Sequence, residues 1–302
     1  MGTKHFIGIK DLPKKDILEL IKKSAKIKRN PRKFHNSLYE KTLLTFFLRP
    51  SLRTKLSFDV AMFQMGGQVI DYQAETSPWA AGKESLEDFA RVVSRYCDAV
   101  MIRMDSHEDL LKFAKNSTIP VINGLTSYEH PCQIIADLLT IQEKKGRLKG
   151  IKLAYVGDSN NNVTHSLMFA AQKLGMKMSI GCPKGSEFSP ASSVRRLCKG
   201  VLITNNPEKA VENADVIYTD SWMSYRIPKS QHTRRAKILR PYQVNKKLMK
   251  HTKKDAIFMH CLPALRGEEV TADVIDSKQS VVFDQAENRL HTEKAILLKV
   301  LK

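Results

Sequence analysis

The stretch Arg49-Pro50-Ser51-Leu52-Arg53-Thr54-Lys55 decides how the chain is interpreted, because it joins two segments with different hydrophobic patterns. Residues 42–48, which precede it, are apolar and rich in β-branched and aromatic side chains, as in a short buried strand. Residues 56–65, which follow it, carry apolar side chains at helical spacing. The sequence therefore predicts a strand, a turn that contains Pro50, and a helix whose N-cap is Ser51.

The predicted helix start has the properties of an anion-binding site. The first backbone N–H groups of a helix are free to bind an anion, and the helix dipole favours negative charge there. Ser51 and Thr54 add hydroxyl groups and Arg53 adds a guanidinium group. This combination suits a phosphate monoester or an acyl phosphate. An ordinary capped helix with a surface arginine is the alternative interpretation.

Strands and helices alternate along the whole chain, which predicts βαβ units and mainly parallel sheets. We predict an α/β protein with two doubly wound parallel-sheet domains, residues 1–133 and residues 134–302. The C-terminal helix, residues 286–302, is expected to return to the first domain. The predicted strands are residues 42–48, 68–72, 99–103, 120–123, 152–158, 176–181, 215–220, 256–260 and 280–284.

Length and composition limit the class of protein. The 302 residues, 42% of them hydrophobic, are enough for two ordinary domains, and no apolar run reaches the length of a membrane span. The five cysteines are an odd number, widely spaced and without a CxxC pair. This pattern argues against a disulfide scaffold or a zinc site and indicates a reducing compartment. We therefore expect a cytoplasmic protein without metal, and no contact with a membrane.

The net charge is +19, from 50 basic and 31 acidic residues. A lysine-rich solvated surface, a small anionic substrate and a nucleic acid are the three possible reasons. The basic residues are densest in residues 22–33 and 229–254, but neither segment interleaves aromatic residues as a nucleic-acid stacking surface does. We expect no nucleic-acid partner. No GxxxxGK[ST] or GxGxxG motif is present, so no nucleotide cofactor is predicted.

Polar residues cluster where the predicted strands end, and ligands of parallel sheets bind at that edge. These residues are Arg103, the tetrad His130-Pro131-Cys132-Gln133, Asp220, the tetrad His260-Cys261-Leu262-Pro263, and Arg289 near the start of the last helix. Each has an ordinary alternative role, such as a surface ion pair, a turn, a helix cap or a small buried thiol. Their common placement at strand ends favours an active site.

Three of these motifs carry a resemblance to a known family. Ser51-Leu52-Arg53-Thr54, His130-Pro131-Cys132-Gln133 and His260-Cys261-Leu262-Pro263 resemble the signatures of the aspartate/ornithine carbamoyltransferases, in the same order and spacing. The resemblance covers nearly the whole chain and extends to Met101-Ile102-Arg103 and Glu287-Asn288-Arg289. His-Cys-Leu-Pro is the ornithine-type form of the third signature, whereas the aspartate type typically shows His-Pro-Leu-Pro.

The resemblance implies transfer of a carbamoyl group from carbamoyl phosphate to an amine, without metal or organic cofactor. It implies that Ser51-Leu52-Arg53-Thr54 binds the phosphate, and that Trp79 or Lys83 reaches it from a neighbouring subunit. The family resemblance therefore also implies a homotrimer or a multiple of it. Residues 1–133 would bind carbamoyl phosphate, and residues 134–302 would bind the amino acid.

The resemblance also assigns the groups around the carbamoyl carbon. Arg103 would bridge the phosphate and the carbonyl oxygen, His130 would donate to that oxygen, and Arg289 would approach it. Gln133 and the backbone carbonyl of Leu262 would bind the carbamoyl NH₂ group. Such donors stabilise charge that develops during transfer.

The acceptor site is assigned in the same way, on the C-terminal domain. Asn162 would lie near the amino-acid carboxylate, and Asp220 would bind the α-amino group. Cys261 and Asp220 would lie along the path of the reacting amine, as catalytic residues with Arg103 and His130. Ser224 and Tyr225 would complete the acceptor pocket.

Three positions depart from the ornithine-type pattern. Leu52 stands where ornithine enzymes usually have Thr, Tyr225-Arg226 stands where they have Met-Gly, and Trp79 stands about where a Gln often contacts phosphate. A change from Gly to Arg removes backbone freedom and adds a long cation. L-Ornithine is the expected acceptor; acetyl- or succinylornithine, putrescine and another amino acid are the alternatives. A non-catalytic family member is a further alternative.

Overall fold

The computed structural model describes residues 5–74, 77–224 and 227–302. Its contacts divide the chain into two units, Met1–Leu139 with Glu287–Lys302, and Thr140–Ala286. The two division points fall within helix α5 (Pro131–Lys145) and helix α12 (Val282–Leu301). The domain boundary between residues 133 and 134, predicted above, stays a prediction, and the contacts place the division later in the same helix.

The first unit contains a sheet of four parallel strands, which are β1 (Thr42–Phe47), β2 (Gln68–Gln73), β3 (Ala99–Arg103) and β4 (Val121–Leu125). Their order in the sheet is β2-β1-β3-β4. Strands β1 and β3 are central and almost entirely buried, which explains their continuous apolar sequences. Strand β2 is an edge strand, and most of its side chains are exposed.

Helices connect these strands, and several of them begin at side-chain caps. The Ser85 hydroxyl accepts the Asp88 N–H, and the Ser106 hydroxyl accepts the Asp109 N–H. Both helices have two acidic residues in the first turn, where the helix dipole favours negative charge. The helices before α5 are α1 (Lys14–Arg29), α2 (Leu52–Gln64), α3 (Leu86–Tyr96) and α4 (His107–Asn116).

The last part of helix α12 belongs to the first unit, as predicted. Lys299 pairs with Asp16 of α1 at 2.8 Å, and the Lys294 ammonium donates to Gln64 of α2 at 2.5 Å. The apolar side chains of this segment are buried, among them the run from Ala295 to Leu298. The C-terminal helix therefore returns to the first unit and contacts its helices α1 and α2.

The second unit contains five parallel strands, which are β5 (Lys152–Val156), β6 (Lys177–Gly181), β7 (Leu202–Thr204), β8 (Val216–Thr219) and β9 (Ile257–His260). Their order in the sheet is β7-β6-β5-β8-β9. The predicted α/β class with two parallel-sheet domains is thus confirmed. The helices are α6 (Asn162–Leu174), α7 (Ser192–Leu197), α8 (Pro207–Val211), α9 (His232–Leu239), α10 (Lys246–Met249) and α11 (Ala272–Ile275).

The prediction of a strand at residues 280–284 is wrong. Helix α12 begins at Val282, and only Ser280 forms an isolated bridge, with Phe258. Val281 and Val282 are both buried whereas Phe283 is 67% exposed, so burial does not alternate as it does in a strand. The fifth strand of the sheet is instead β7, a three-residue edge strand that the sequence analysis did not identify.

Within the described ranges, every helix is too short or too polar to cross a bilayer.

Candidate active site

The predicted strand, turn and helix around Ser51 are confirmed. Strand β1 ends at Phe47, Ser51 has an extended conformation with φ of −157°, and α2 begins at Leu52. Among the described residues, none of the first backbone N–H groups of α2 bonds to the Ser51 hydroxyl, so its side chain does not cap the helix. The first turn of α2 contains no acidic residue. Positive potential at this helix start is therefore not neutralised from within the helix.

Two guanidinium groups converge on Thr54 in the first turn of α2. Arg103, the last residue of β3, donates from Nη1 to the Thr54 hydroxyl at 3.4 Å. Arg289 of α12 donates from Nη2 to the same hydroxyl at 3.3 Å. Thr54 is 1% exposed, and both arginines are buried. Buried cations of this kind can bind a dianion bidentately, since guanidinium geometry matches phosphate oxygens.

Arg289 also fixes the amide of Gln133 in the first turn of α5. Its Nη1 donates to Gln133 Oε1 at 2.8 Å, and the Gln133 amide nitrogen donates to Asp137 at 2.8 Å. Burial lowers the pKa of Arg289, but the negative charge of Glu293 outweighs this effect and the pKa is raised. Arg289 is therefore charged at any physiological pH.

His130 lies directly before α5 and is 5% exposed. Burial, followed by the positive charges of Arg289, Arg103 and Arg53, holds the pKa of His130 well below its ordinary value. The imidazole is therefore neutral near pH 7. A neutral imidazole can donate one N–H to a carbonyl oxygen without adding a fourth positive charge beside the three arginines.

In the second unit, two more predicted site residues are in contact. Asp220 follows β8 and Cys261 follows β9, and the Cys261 thiol donates to Asp220 Oδ1 at 3.1 Å. The same oxygen accepts the Ser221 N–H at 2.7 Å. Strands β8 and β9 are parallel neighbours, so their ends bring the two side chains together as predicted.

The segment after Cys261 is held by a buried histidine. His260 is fully buried, its Nδ1 accepts the Leu262 N–H at 2.8 Å, and its Nε2 lies 3.4 Å from Glu269. Leu262 has φ of +58°, an unfavourable conformation for a residue with a side chain, and such residues concentrate at functional sites. Asp220, His260 and Cys261 offer donor atoms within 4.8 Å of one another. Because both His260 nitrogens already face protein groups, this trio is poorly suited to a metal, and the expected metal-free site stays a prediction.

The remaining predicted site residues lie in several different parts of the chain. Asn162 is the first residue of α6, directly after the N-cap Asn161, and Ser224 is half-buried. Trp79 packs on Phe46 with ring centroids 6.0 Å apart, whereas Lys83 is exposed. Of the two candidates for reaching another subunit, Lys83 is therefore the one whose side chain does not pack against the hydrophobic core of its own subunit. Tyr225 lies outside the described residues, as does Arg226.

Two buried carboxylates at these sites were missed by the sequence analysis. Glu293 contacts Arg289, and Glu269 contacts His260. Glu293 lies one helical turn after Arg289, and this spacing is the signal that could have indicated the pair. Glu269 has no comparable signal, because its partner lies in a different element.

Comparisons with known proteins agree with this architecture. The family model of the "Aspartate/ornithine carbamoyltransferase, carbamoyl-P binding domain" matches residues 4–143, and the "Aspartate/ornithine carbamoyltransferase, Asp/Orn binding domain" matches residues 149–300. The chain belongs to the aspartate/ornithine carbamoyltransferase family.

The individual relatives that are most similar in sequence include ornithine carbamoyltransferases. The chain is 47% identical to the anabolic ornithine carbamoyltransferase of Pyrococcus furiosus, covering 100% of this chain and 97% of that protein. It is 46% identical to the ornithine carbamoyltransferase of Carboxydothermus hydrogenoformans, covering 99% and 97%.

Solved structures are similar over the same length. The ornithine carbamoyltransferase structure from Pyrococcus furiosus superposes with a TM-score of 0.94 at 45% identity, covering 99% of this chain and 97% of that chain. The ornithine transcarbamoylase structure from Giardia lamblia superposes with a TM-score of 0.91 at 38% identity, covering 100% and 99%.

Proposed function

We propose that this protein transfers the carbamoyl group of carbamoyl phosphate to the side-chain amine of L-ornithine, giving L-citrulline and phosphate. The observation that carries this proposal is the convergence of Arg103 and Arg289 on Thr54, in the first turn of α2. A dianionic acyl phosphate fits this cationic helix start, and the names of the similar proteins indicate the acceptor. Residues 1–133 would bind the donor, and residues 134–302 the amino acid.

The phosphate group of the donor is proposed to bind at the start of α2. Ser51 and Thr54 supply hydroxyl groups, Arg53 supplies a guanidinium group, and Leu52 lies in the first turn, where backbone N–H groups are free. Lys83 of a neighbouring subunit would add a further positive charge. Holding both negative charges of the phosphate makes it a better leaving group, because the charge that departs with it is already stabilised.

The carbonyl group is proposed to be polarised by donors that are in place before the substrate binds. His130, Arg103 and Arg289 would donate to the carbonyl oxygen, while Gln133 and the Leu262 carbonyl would hold the NH₂ group. The amine nitrogen attacks the carbonyl carbon, the new C–N bond forms, and the C–O bond to phosphate breaks with its electron pair on the phosphate. The attacking nitrogen loses one proton, and the departing phosphate oxygen accepts it, so that hydrogen phosphate is released.

The acceptor is proposed to bind in the second unit. The Asp220 carboxylate would bind the α-ammonium group, and Asn162 at the start of α6 would bind the α-carboxylate, where the helix dipole favours an anion. Cys261 and Ser224 would line the path of the side-chain amine. The contact between Cys261 and Asp220 keeps the carboxylate oriented before ornithine arrives.

A panel of amines tests the acceptor. Phosphate release from carbamoyl phosphate is measured with ornithine, N-acetylornithine, N-succinylornithine, putrescine and lysine at equal concentration. Ornithine is expected to give the highest kcat/KM. A higher kcat/KM with any other amine would contradict the choice of ornithine, and no stimulation by any amine would contradict carbamoyl transfer.

Tyr225 and Arg226, which stand where ornithine enzymes have Met-Gly, allow a sharper test of selectivity. We propose that the positive charge of Arg226 acts against putrescine, which carries two cations and no carboxylate. The double variant Tyr225→Met with Arg226→Gly is therefore expected to raise kcat/KM for putrescine relative to ornithine by about tenfold. Tyr225→Met alone keeps the cation and is the matched control. An unchanged ranking of acceptors in the double variant would show that these residues do not select the amine.

We propose that the protein acts as a homotrimer or a multiple of it, in the cytoplasm. Helix α2 exposes Leu52, Leu56 and Phe63, with exposed fractions of 68%, 51% and 79%, and the edge strand β2 exposes Ile70. A second copy covering this apolar face would account for its exposure. All five cysteines are free, as expected of a reducing compartment.

The variant Phe63→Glu tests this face. Burying a carboxylate in an apolar interface is unfavourable, so the variant is expected to sediment as a 34.3 kDa monomer. The unaltered protein should sediment at about three times that mass or at a multiple of it. Tyr96→Glu, at an equally exposed aromatic residue of α3, is the control and should leave the mass unchanged. A Phe63→Glu protein with the mass of the unaltered protein would refute the role of this face.

A further inference from the structure

Glu293 is a fully buried carboxylate on helix α12, one turn after Arg289. Its Oε1 accepts two hydrogen bonds from Arg289, from Nε at 3.0 Å and from Nη2 at 2.6 Å. The Ser57 hydroxyl faces the same carboxyl group, but its proton is donated to the Arg53 carbonyl at 2.6 Å. The carboxylate therefore has one strong partner, the guanidinium group.

The contacts of Arg289 show what this pairing determines. The edge of the guanidinium that carries Nε and Nη2 is bound by Glu293, while Nη1 reaches Gln133 at 2.8 Å and Nη2 also reaches Thr54 at 3.3 Å. A planar guanidinium held along one edge has a defined plane and a defined direction for its other donors. The position of Glu293 therefore sets the direction in which Arg289 points toward Thr54 and Gln133.

We propose that Glu293 is a positioning residue for the transfer reaction, because its carboxylate orients the guanidinium of Arg289 toward the groups that bind carbamoyl phosphate. This inference rests on the proposed function, since Arg289 acts on the donor only if carbamoyl phosphate is the substrate. Glu293 itself is expected to make no contact with substrate, because it is fully buried and its Oε1 binds Arg289.

The surroundings of the pair determine how it responds to pH. Arg289 and Ser57 face Glu293, and Cys132 lies near enough for its pKa to be affected by the carboxylate. Asp137 and His130 face Arg289 from the segment that contains the start of α5. His130 is neutral and the Cys132 thiol is protonated across the physiological range, since burial lowers the first pKa and raises the second. The pKa of Glu293, in contrast, lies near neutral pH.

Burial raises the pKa of Glu293 to about 7, although the charge of Arg289 acts in the opposite direction. Below that pH the carboxyl group is protonated, and a neutral acceptor binds a guanidinium more weakly than a carboxylate does. Above it the carboxylate forms and Arg289 is held most firmly. Activity that depends on Arg289 is therefore expected to increase as pH rises through about 7.

The test compares Glu293→Gln and Glu293→Leu with the unaltered full-length protein. Glutamine keeps the shape and an acceptor oxygen but never ionises, whereas leucine removes both acceptors. For each protein, kcat/KM for carbamoyl phosphate is measured from about pH 5.5 to about pH 8.5. The value for the unaltered protein is divided by the value for Glu293→Gln at each pH. Titration of the acceptor amine and of the phosphate affects both proteins equally, so it cancels in this ratio. Glu287→Gln, which changes an exposed carboxylate of the same helix that pairs with His291, is the matched control.

The ratio for Glu293→Gln is expected to be near one at low pH and to rise to about tenfold at high pH. Glu293→Leu is expected to lose at least about tenfold at every pH, with substantial rescue by glutamine at low pH. The control ratio should stay near one throughout. A ratio for Glu293→Gln that does not change with pH, including a loss confined to Glu293→Leu, would assign a packing role only and overturn the proposal.

If the proposed function is incorrect, the unaltered protein will not transfer the carbamoyl group to any amine. That outcome differs from one in which only the proposed role of Glu293 is incorrect. The affinities of the unaltered and Glu293→Gln proteins for a phosphonate mimic of carbamoyl phosphate, measured by calorimetry, separate the two outcomes. Affinities that differ at high pH and coincide at low pH would support the role of Glu293 even if turnover were absent, and equal affinities at every pH would overturn it.

Discussion

Arg53→Ala is expected to lower kcat/KM for carbamoyl phosphate by about 10³-fold, because the variant loses a charge-assisted contact to a dianion. Arg53 lies in the first turn of α2, half-buried, and its charge is felt by the buried His130. Water carries no charge, so it cannot replace the guanidinium group as a partner of a dianion. Steady-state kinetics with ornithine held at saturation, together with calorimetry of a phosphonate mimic, measure the loss.

Two further variants make this result specific. Arg53→Lys keeps the charge without the planar fork and should recover only part of the activity. Arg49→Ala removes an arginine of the same turn whose partner is Asp105, at 3.1 Å, and should leave kcat/KM within about twofold of the unaltered value. Near-normal turnover of Arg53→Ala would contradict the assignment of the phosphate site.

Asp220→Asn is expected to lower kcat/KM for ornithine by about 10²-fold to 10³-fold while leaving the affinity for a carbamoyl phosphate mimic unchanged. The substitution keeps the oxygen that accepts the Cys261 thiol and the Ser221 N–H, so local structure should persist. It removes the negative charge proposed to bind the α-ammonium group of the acceptor. The test measures kcat/KM for ornithine by steady-state kinetics and the affinity for the carbamoyl phosphate mimic by calorimetry, and only the first is expected to fall.

The matched control for this variant is Asp255→Asn in the same unit. Asp255 is exposed and pairs with Lys145 at 2.9 Å, so its neutralisation changes net charge without touching the proposed pocket. Its kinetics with both substrates should match those of the unaltered protein. If Asp220→Asn kept its kcat/KM for ornithine, or lost affinity for the donor mimic by the same factor, Asp220 would have no specific role in acceptor binding.

Much of the fold could be predicted where the local pattern and the tertiary environment agree. Strand β1 and helix α2 were identified because the hydrophobic period changes across residues 49–55, and the buried strand β3 was predicted with its observed bounds. Residues 280–284 were predicted wrongly because β-branched residues there favour a strand, whereas packing of α12 decided the outcome. Strand β7 was missed because its three residues are half-exposed and carry too short a pattern.

The site could be predicted only in part, for a similar reason. Residues at strand ends, such as Arg103 and Asp220, are indicated by their place after an apolar run. Glu293 looks in sequence like one member of an ordinary exposed helix pair with Arg289. Its importance comes from complete burial, which depends on packing between α12 and elements distant in sequence. Glu269 pairs with His260 only through the tertiary fold.

The central claim is that a carbamoyl group moves to the side-chain nitrogen of ornithine, and isotope labelling tests it most directly. The purified protein is incubated with ¹³C-labelled carbamoyl phosphate and ornithine labelled with ¹⁵N at the side-chain amine, and the product is observed by ¹³C NMR. The account predicts a product carbonyl signal split by a directly bonded ¹⁵N, with one phosphate released for each product. Release of phosphate without that splitting would contradict the account. A carbonyl signal that is split only when a different ¹⁵N-labelled amine replaces ornithine would also contradict it.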